Sequence, residues 1–254
     1  VENIYETSRS VAEYLLFHYG SREEILPHPE GPASALDFAV RTAAALLGGA
    51  PRSGALRALD IGCAVGRSSF ELSAHCAEVV GIDYSHAFIR AAESLRADDV
   101  LRYDRADEGD LVTPLVARRP AHARPDRVRF EQGDAMELRP GLDGFDLVHA
   151  ANLIDRLSDP ARFLDRLPSL LCPGGHLLLT SPYTWLETFT PRARWLGGFV
   201  RDGNPVRTLD ALRAALEPHF VLEARQDFPF LIREHARKFQ WSVAEGTLWR
   251  RRQA

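Results

Sequence analysis

The run Ala55-Leu56-Arg57-Ala58-Leu59-Asp60-Ile61-Gly62-Cys63-Ala64-Val65-Gly66-Arg67-Ser68-Ser69-Phe70-Glu71-Leu72, continued at Val79-Val80-Gly81-Ile82-Asp83, decides how this chain folds. Residues 55–61 are apolar enough for a buried strand, and 62–66 form a turn of small residues. A helix from Arg67 to about Cys76 follows, then the strand 79–82, then Asp83. Strand, glycine turn, helix and a second strand ending in an acid is the layout of a nucleoside-cofactor site. The turn needs small residues because a ligand must lie against bare backbone there, and glycine also permits positive φ. Asp83 falls at a strand's carboxyl end, where a carboxylate can accept both hydroxyl protons of a ribose. Any buried strand turning tightly into a helix would use glycines, so the turn alone is a weak signal. Asp83, and a second acid in Phe130-Glu131-Gln132-Gly133-Asp134-Ala135, strengthen it.

The spacing resembles the Asp-x-Gly-x-x-x-Gly of class I S-adenosylmethionine (SAM) methyltransferases rather than the G-x-G-x-x-G of dinucleotide binders. Ala64 and Arg67 stand where the dinucleotide fingerprint wants glycine, which counts against a nicotinamide dehydrogenase. The resemblance implies SAM as cofactor and S-adenosylhomocysteine as product. It implies a cofactor set of Asp60, Gly62, Cys63, Ala64, Gly66, Arg67, Asp83, Tyr84, Asp134, Ala135 and Asn152. In that family the acid at Asp134 accepts from the adenine amino group, and the residue at Ala135 packs beside the ring.

Composition bounds the alternatives. A chain of 254 residues suits one α/β domain with a modest addition. The net charge of −4 gives no overall basic field to recruit nucleic acid. Cys63, Cys76 and Cys172 are widely spaced with no C-x-x-C pair. That suits a reducing cytoplasm, and neither a disulfide framework nor a zinc site. The histidines show no metal-ligand spacing, so no metal is expected. The sequence contains no signal peptide and no apolar run of spanning length, so a cytoplasmic protein without membrane contact is expected.

Along the chain, Thr7 to Tyr19 reads as a helix stopped by Gly20, with Val11, Tyr14, Leu15 and His18 at helical spacing. Ser34 is expected to cap a second helix ending at Gly48-Gly49. These helices, within residues 1–50, are expected to form a lid over the cofactor mouth. Residues 51–254 form the core, the whole being one compact domain. Ser85 caps the helix after Asp83, and 98–126 reads as a polar insertion, a solvated surface excursion. Strands follow at 128–131, 145–150 and 176–181, with Asp159-Pro160 starting a helix in the preferred cap-then-proline order. Alternating strands and helices imply an α/β, Rossmann-like, doubly wound sheet, mostly parallel. Residues 219–225 and 239–250 are expected to close it as an antiparallel edge hairpin. Between them, Phe228-Pro229-Phe230-Leu231-Ile232-Arg233-Glu234-His235 is too apolar and too charged at once for an idle loop.

Four stretches carry a narrower resemblance. They are Tyr5-Glu6-Thr7 through Glu13-Tyr14-Leu15-Leu16-Phe17-His18-Tyr19-Gly20, the run from Gly62 to Leu72, Ser181-Pro182-Tyr183-Thr184-Trp185, and the run from Phe230 to Val243. Together they resemble the ovothiol-pathway methyltransferase, which N-methylates the imidazole ring (Nπ) of 5-thiohistidine to give ovothiol A. In many members that unit is the carboxyl-terminal domain of a longer enzyme, whose amino-terminal part is an iron-dependent sulfoxide synthase. The resemblance therefore implies a synthase partner, fused or separate, and a small-molecule substrate. The other reading is a SAM-dependent methyltransferase of another small amine, phenol or carboxylate, which would share every core motif.

The outer stretches also make chemical sense, because specificity on such a core comes from additions above the strands' carboxyl ends. Tyr14, Tyr19, Asn152, Asp155, Tyr183, Arg233, His235 and Lys238 are the candidate substrate contacts. A zwitterionic amino acid needs a cation for its carboxylate and an acceptor for its ammonium. Arg233, then Lys238, are the first choices for the carboxylate; Asp155 or Glu234 would take the ammonium. If a base keeps the attacking nitrogen deprotonated, the candidates are His18, Tyr14 and Tyr183, in that order.

Overall fold

The computed structural model describes residues 4–49 and 55–253. Helix α1 (Ser8–Tyr19) has the expected bounds: the Thr7 hydroxyl accepts from Ser10 N–H (3.1 Å), and Gly20 ends it. Ser21 and Glu24 cap each other's backbone at the single turn α2 (Arg22–Ile25). The next helix does not start at Ser34. Residues Ala33–Ala35 make a 3₁₀ turn instead, and Asp37, at φ 56°, redirects the chain into α3 (Phe38–Gly49).

The sheet elements then run β1 (Arg57–Ile61), α4 (Arg67–Ser73), β2 (Glu78–Asp83), α5 (His86–Asp98), β3 (Val100–Glu108), β4 (Leu111–Arg118), β5 (Val128–Gln132), β6 (Phe145–Ala151), α6 (Pro160–Leu170) and β7 (Leu171–Ser181). A short hairpin, β8 (Phe199–Arg201) with β9 (Asn204–Val206), precedes α7 (Thr208–Leu216), β10 (Phe220–His235) and β11 (Lys238–Arg251). Seven strands form one sheet in the order β10-β11-β7-β6-β1-β2-β5. The five strands from β5 to β7 are parallel, and β11 is antiparallel to both of its neighbours.

Each face of the sheet is covered. Phe163, Leu164 and Leu167 of α6 and Leu212 and Leu216 of α7 bury one face together with Phe220 and Trp249. Leu46 of α3, Phe70 of α4 and Phe88, Ala92 and Leu95 of α5 bury the other. Helix α3 is thus part of the covering layer, which leaves residues 4–37 for the expected lid. Among the described residues, no helix is long and apolar enough to cross a membrane.

Two expectations are corrected. Residues 98–126 are not a solvated excursion: β3 and β4 pair as a hairpin in which Leu101 faces Ala117 and Tyr103 faces Leu115. Those four lie on one face of the hairpin and pack on the core and on α1's neighbours. Their period-2 spacing is diluted by Asp and Arg on the other face, which hid it in the sequence. The apolar stretch 228–235 is not a connection either; it is the second half of β10. Pairing with β7 stops at Glu245, opposite Ser181. Beyond that point β10 and β11 leave the sheet as an arm. Phe228 and Phe230 pack on Phe17 and Phe38, and Leu231 packs with Leu16, Ile25 and Leu26. A mixture of apolar and charged residues is what an arm lying across a helix layer requires.

Candidate active site

Progression along the sheet reverses between β1 and β6, and the crevice outside their carboxyl ends is where such folds bind ligands. The glycine turn lies there, left-handed at Gly62 (φ 77°), Ala64 (φ 47°) and Gly66 (φ 85°). Gly62 and Cys63 both donate backbone N–H to Ile82 O, at 2.8 and 3.0 Å, pinning the turn to the end of β2. At Gly66 a Cβ would also come within 2.6 Å of Phe130 Cζ. Gly66→Ala therefore combines left-handed strain with overpacking and is expected to destabilise the fold by about 2–4 kcal/mol. Urea denaturation reads this directly, and a loss under about 0.5 kcal/mol would show that the turn relaxes freely.

Asp83 closes the turn from below. Its Oδ2 accepts from Ala64 N–H (2.9 Å) and its Oδ1 from Ser85 N–H (2.8 Å). Each oxygen keeps a lone pair for a further donor. Burial pushes this carboxyl up to about 6, although both backbone hydrogen bonds favour the charge. Asp134 lies at the adjacent strand end: Gly133 N–H donates to Asp83 O (3.0 Å), and Asp134 Oδ1 accepts from Met136 N–H (2.8 Å), leaving Oδ2. Ala135 is buried beside it and Tyr84 is exposed. Asn152 follows β6 at φ 52°, its Oδ1 accepting from the Thr180 hydroxyl (3.1 Å).

Three members of the expected cofactor set have other employment. Asp60 is buried and accepts from Ser68 (2.7 Å), Ser69 (2.6 Å) and His149 Nδ1 (2.8 Å). Burial alone would raise its pKa; the neighbouring His149, with these hydrogen bonds, outweighs that and holds it below the usual carboxylate range. Asp60 thus ties β1 to the start of α4 and to β6 under the turn. Arg67 is bound to Glu71 (2.8 Å), donates to His18 O (3.1 Å) and lies over the Tyr19 ring, so it joins α4 to the lid. The Cys63 side chain is buried, and burial raises its thiol well above its ordinary pKa, so it is no nucleophile.

His149 was missed by sequence reasoning, although a polar residue between Val148 and Ala150 in the buried strand Phe145–Ala151 was a usable signal. Its Nε2 lies 3.0 Å from Thr42 Oγ1, whose own proton goes to Ala39 O. His149→Leu would strip Asp60 of its counter-group and is expected to cost about 3–5 kcal/mol of stability, with Asp60→Asn/His149→Leu recovering part of it. Equal losses from the single and double variants in urea titrations would refute this.

The lid is fastened at both ends. At its start, the Glu6 carboxylate accepts from His86 N–H (2.7 Å) and Ala87 N–H (3.2 Å), and the Ser85 hydroxyl donates to Tyr5 O (2.9 Å). These are the free N–H groups at the start of α5, where a carboxylate is favoured. At its far end, the Tyr19 hydroxyl donates to Val65 O in the turn (2.7 Å). Between them Tyr14 packs on Phe88 and Tyr5, with ring centroids 4.7 and 6.0 Å apart. Next to Tyr14, His18 has a buried Nδ1 without a partner among the described residues, and burial pushes its imidazole down to about 3. It is a neutral acceptor. Burial raises the Tyr14 phenol well above its ordinary pKa, and burial together with Glu245 does the same for Tyr183. Both tyrosines are corrected from bases to hydrogen-bond donors, Tyr183 giving its proton to Glu245 (2.7 Å).

The remaining substrate candidates divide. Asp155, in the one-turn segment Ile154–Arg156, is buried beside Asn152, and its Oδ2 accepts from Thr184 N–H (3.0 Å) and Arg156 (3.0 Å). Arg233, His235 and Lys238 lie at the arm's far end instead. Arg233 donates to Glu24 O (2.7 Å) and pairs with Asp107, Lys238 pairs with Glu234 (2.7 Å), and His235 Nδ1 accepts from Arg237 N–H. No hydrogen bond or ion pair links these three to the glycine turn, so the arm braces the lid. Among the described residues no three His, Cys, Asp or Glu side chains are grouped as a metal site.

A protein family described as a methyltransferase domain matches residues 59–177, which span the glycine turn, both acids and β6 to β7. Residues 59–177 thus resemble a methyltransferase domain, and the sheet has the Rossmann-like fold of SAM methyltransferases. Among particular proteins, the chain is 28% identical over 134 residues to the ubiquinone biosynthesis O-methyltransferase of Azorhizobium caulinodans, covering 53% of this chain and 43% of that one. It is 27% identical over 185 residues to the trans-aconitate 2-methyltransferase of Variovorax paradoxus, covering 72% and 60%. The chain spans about half the length of the curated relatives it matches. Among solved structures it shares its fold with the N-methyltransferase NodS from Bradyrhizobium japonicum WM9 in complex with S-adenosylhomocysteine, at 18% identity, TM-score 0.52 and 96% and 99% coverage. It is similar also to the [4+2]-cyclase SpnF, at 17% identity, TM-score 0.55 and 98% and 97% coverage. One architecture thus carries different chemistries, and the substrate has to be argued from the site.

Proposed function

We propose that this chain transfers the SAM methyl group to a ring nitrogen of 5-thiohistidine. The observation that carries the reading is the resemblance of the outer stretches, 5–20, 181–185 and 230–243, to the ovothiol-pathway methyltransferase. Of these, the first lies over the glycine turn, the second is hydrogen-bonded to Asp155, and the third braces the first. The names of the curated relatives favour the alternative, a carboxylate or phenol acceptor.

The residues fit SAM. Left-handed turn backbone offers a surface without side chains, Asp83 has two lone pairs for the ribose hydroxyls, and Asp134 Oδ2 is available for an amino group. With SAM bound, the reaction would be one in-line displacement: the nitrogen lone pair would form the new N–C bond while the C–S bond breaks and its electrons return to sulfur, and the proton on the other ring nitrogen would then leave to solvent. The sulfonium charge is lost, so no oxyanion hole is needed. Positioning supplies most of the acceleration. His18, neutral and with a free Nδ1, accepts a hydrogen bond from a substrate N–H and orients the ring; it is too weak a base to do more.

Sulfur is the softer nucleophile toward a sulfonium, so nitrogen wins only if the ring is held. Mass spectrometry after incubation with SAM and 5-thiohistidine, with histidine in parallel, is expected to give a single ring-N-methyl product and far slower reaction of histidine. S-methylation, or equal rates on histidine, would transfer the reading to the broader small-molecule class.

A further inference from the structure

Among the described residues, Asp155 Oδ1 is a buried oxygen near the crevice that meets no hydrogen bond of ordinary geometry. The residue is fully buried. Burial raises this carboxyl above its ordinary pKa, outweighing Arg156 and the hydrogen bonds of the Ser181 hydroxyl, at long range, and of Thr184 N–H, which favour the charged form. A buried carboxylate oxygen without a donor is costly, and a bound cation relieves that cost. Beside it, Arg156 makes its hydrogen bonds to Asp155 and to Thr184 O through Nη1 alone. The rest of its guanidinium lies over the Phe189 ring, 4.9 Å from the centroid, with the Tyr5 phenol hydrogen-bonded to it. Tyr5 stacks on Phe189 and touches Tyr14, so the pair faces the lid.

An unsatisfied anion and a half-engaged guanidinium on consecutive residues match the two charges of an α-amino acid, which sit on one carbon. We propose that Asp155 and Arg156 hold the head group of the substrate, the ammonium donating to Asp155 Oδ1 and the carboxylate replacing the Tyr5 phenol at Arg156. This rests on the amino-acid substrate reading above, and it moves the carboxylate anchor from Arg233 to Arg156. The groups around the pair, Tyr5, Thr184 and Phe189, come from outside the glycine-turn core. That assigns the site to the acceptor rather than to the methionine end of SAM.

The test compares 5-thiohistidine with its des-amino and decarboxylated analogues on wild type, Asp155→Asn and Arg156→Lys, with SAM affinity measured by calorimetry. Wild type is expected to lose roughly tenfold to a hundredfold in kcat/KM on either analogue, the worth of one charge-assisted hydrogen bond. Asp155→Asn should lose as much on 5-thiohistidine and nothing further on the des-amino analogue, with SAM affinity unchanged. Arg156→Lys should show the same pattern with the decarboxylated analogue, and it carries the comparison if the buried Asp155 variant does not fold. Equal losses on parent and analogue, or a matching loss of SAM affinity, would overturn the assignment while leaving the methylation of thiohistidine in place. A wild type that binds SAM but turns over neither 5-thiohistidine nor its analogues would overturn the substrate reading, and this one with it.

Discussion

Asp83→Ala is expected to weaken SAM binding by about a hundredfold or more. Two ribose hydroxyls donating to one carboxylate form two charge-assisted hydrogen bonds, each worth roughly 1.5–3 kcal/mol. The same substitution removes the acceptor for Ala64 and Ser85 N–H, so the turn itself loses its support. A pH dependence accompanies it. Burial holds the carboxyl at about 6, and ribose hydroxyls favour its charged form. Binding therefore releases a proton below that value and none above it. SAM affinity should be flat above pH 6 and fall about tenfold per pH unit below it. The sign for folding is the opposite: the raised pKa means that charging Asp83 weakens the fold as pH rises from its unfolded value toward 6. Calorimetry across pH 5–8 decides both points. Wild-type affinity in a folded Asp83→Ala variant would remove Asp83 from the site, and a flat profile would mean that another group carries the ribose.

Removing residues 1–6 is expected to lower turnover by about a hundredfold while leaving the fold intact. Deletion through residue 20 would be uninformative, because Leu15, Leu16 and Phe17 are buried in the core and their loss would unfold the chain. The shorter deletion keeps the Thr7 cap of α1 and removes only Tyr5 and Glu6 from the crevice. Without Glu6 the lid loses its attachment to α5, and without Tyr5 the aromatic contacts with Tyr14, Phe88 and Phe189 go. A misplacement of about 1 Å is enough for such a rate loss. SAM affinity should fall far less than turnover. Hydrogen exchange should show α1 protected in the wild type with SAM and substrate, and less so in the deletion. Full activity in the folded deletion variant would show that the lid is held by Tyr19 alone.

The glycine turn was legible because it is local: Gly62 and Gly66 take the left-handed backbone expected of them, and Asp83 closes the next strand. The side chains of Asp60 and Arg67 have partners nearby, at Ser68, Ser69 and Glu71, and others far along the chain, at His149 and His18 O, that no local motif announces. The substrate half was read only as a pool of polar and aromatic residues. Tyr14, His18 and Asp155 stand at the crevice, whereas Arg233, His235 and Lys238 are held at the end of an arm whose length no turn signal announced. Arg156 left little trace, because an arginine beside an acid on a surface turn is ordinary.

By itself the sequence determined the parallel sheet, its order of elements, the left-handed turn and the acid that closes the next strand. Those follow from apolar periodicity, backbone sterics and spacing within some 30 residues. Only the tertiary structure decided which charges are satisfied. Asp60 finds His149 and Arg67 finds His18 O, while Asp155 Oδ1 meets no hydrogen bond of ordinary geometry among the described residues. Burial and partnership are properties of the packed chain: the same carboxylate is a strut, a cofactor ligand or an open acceptor according to what long-range folding places within 3 Å of it.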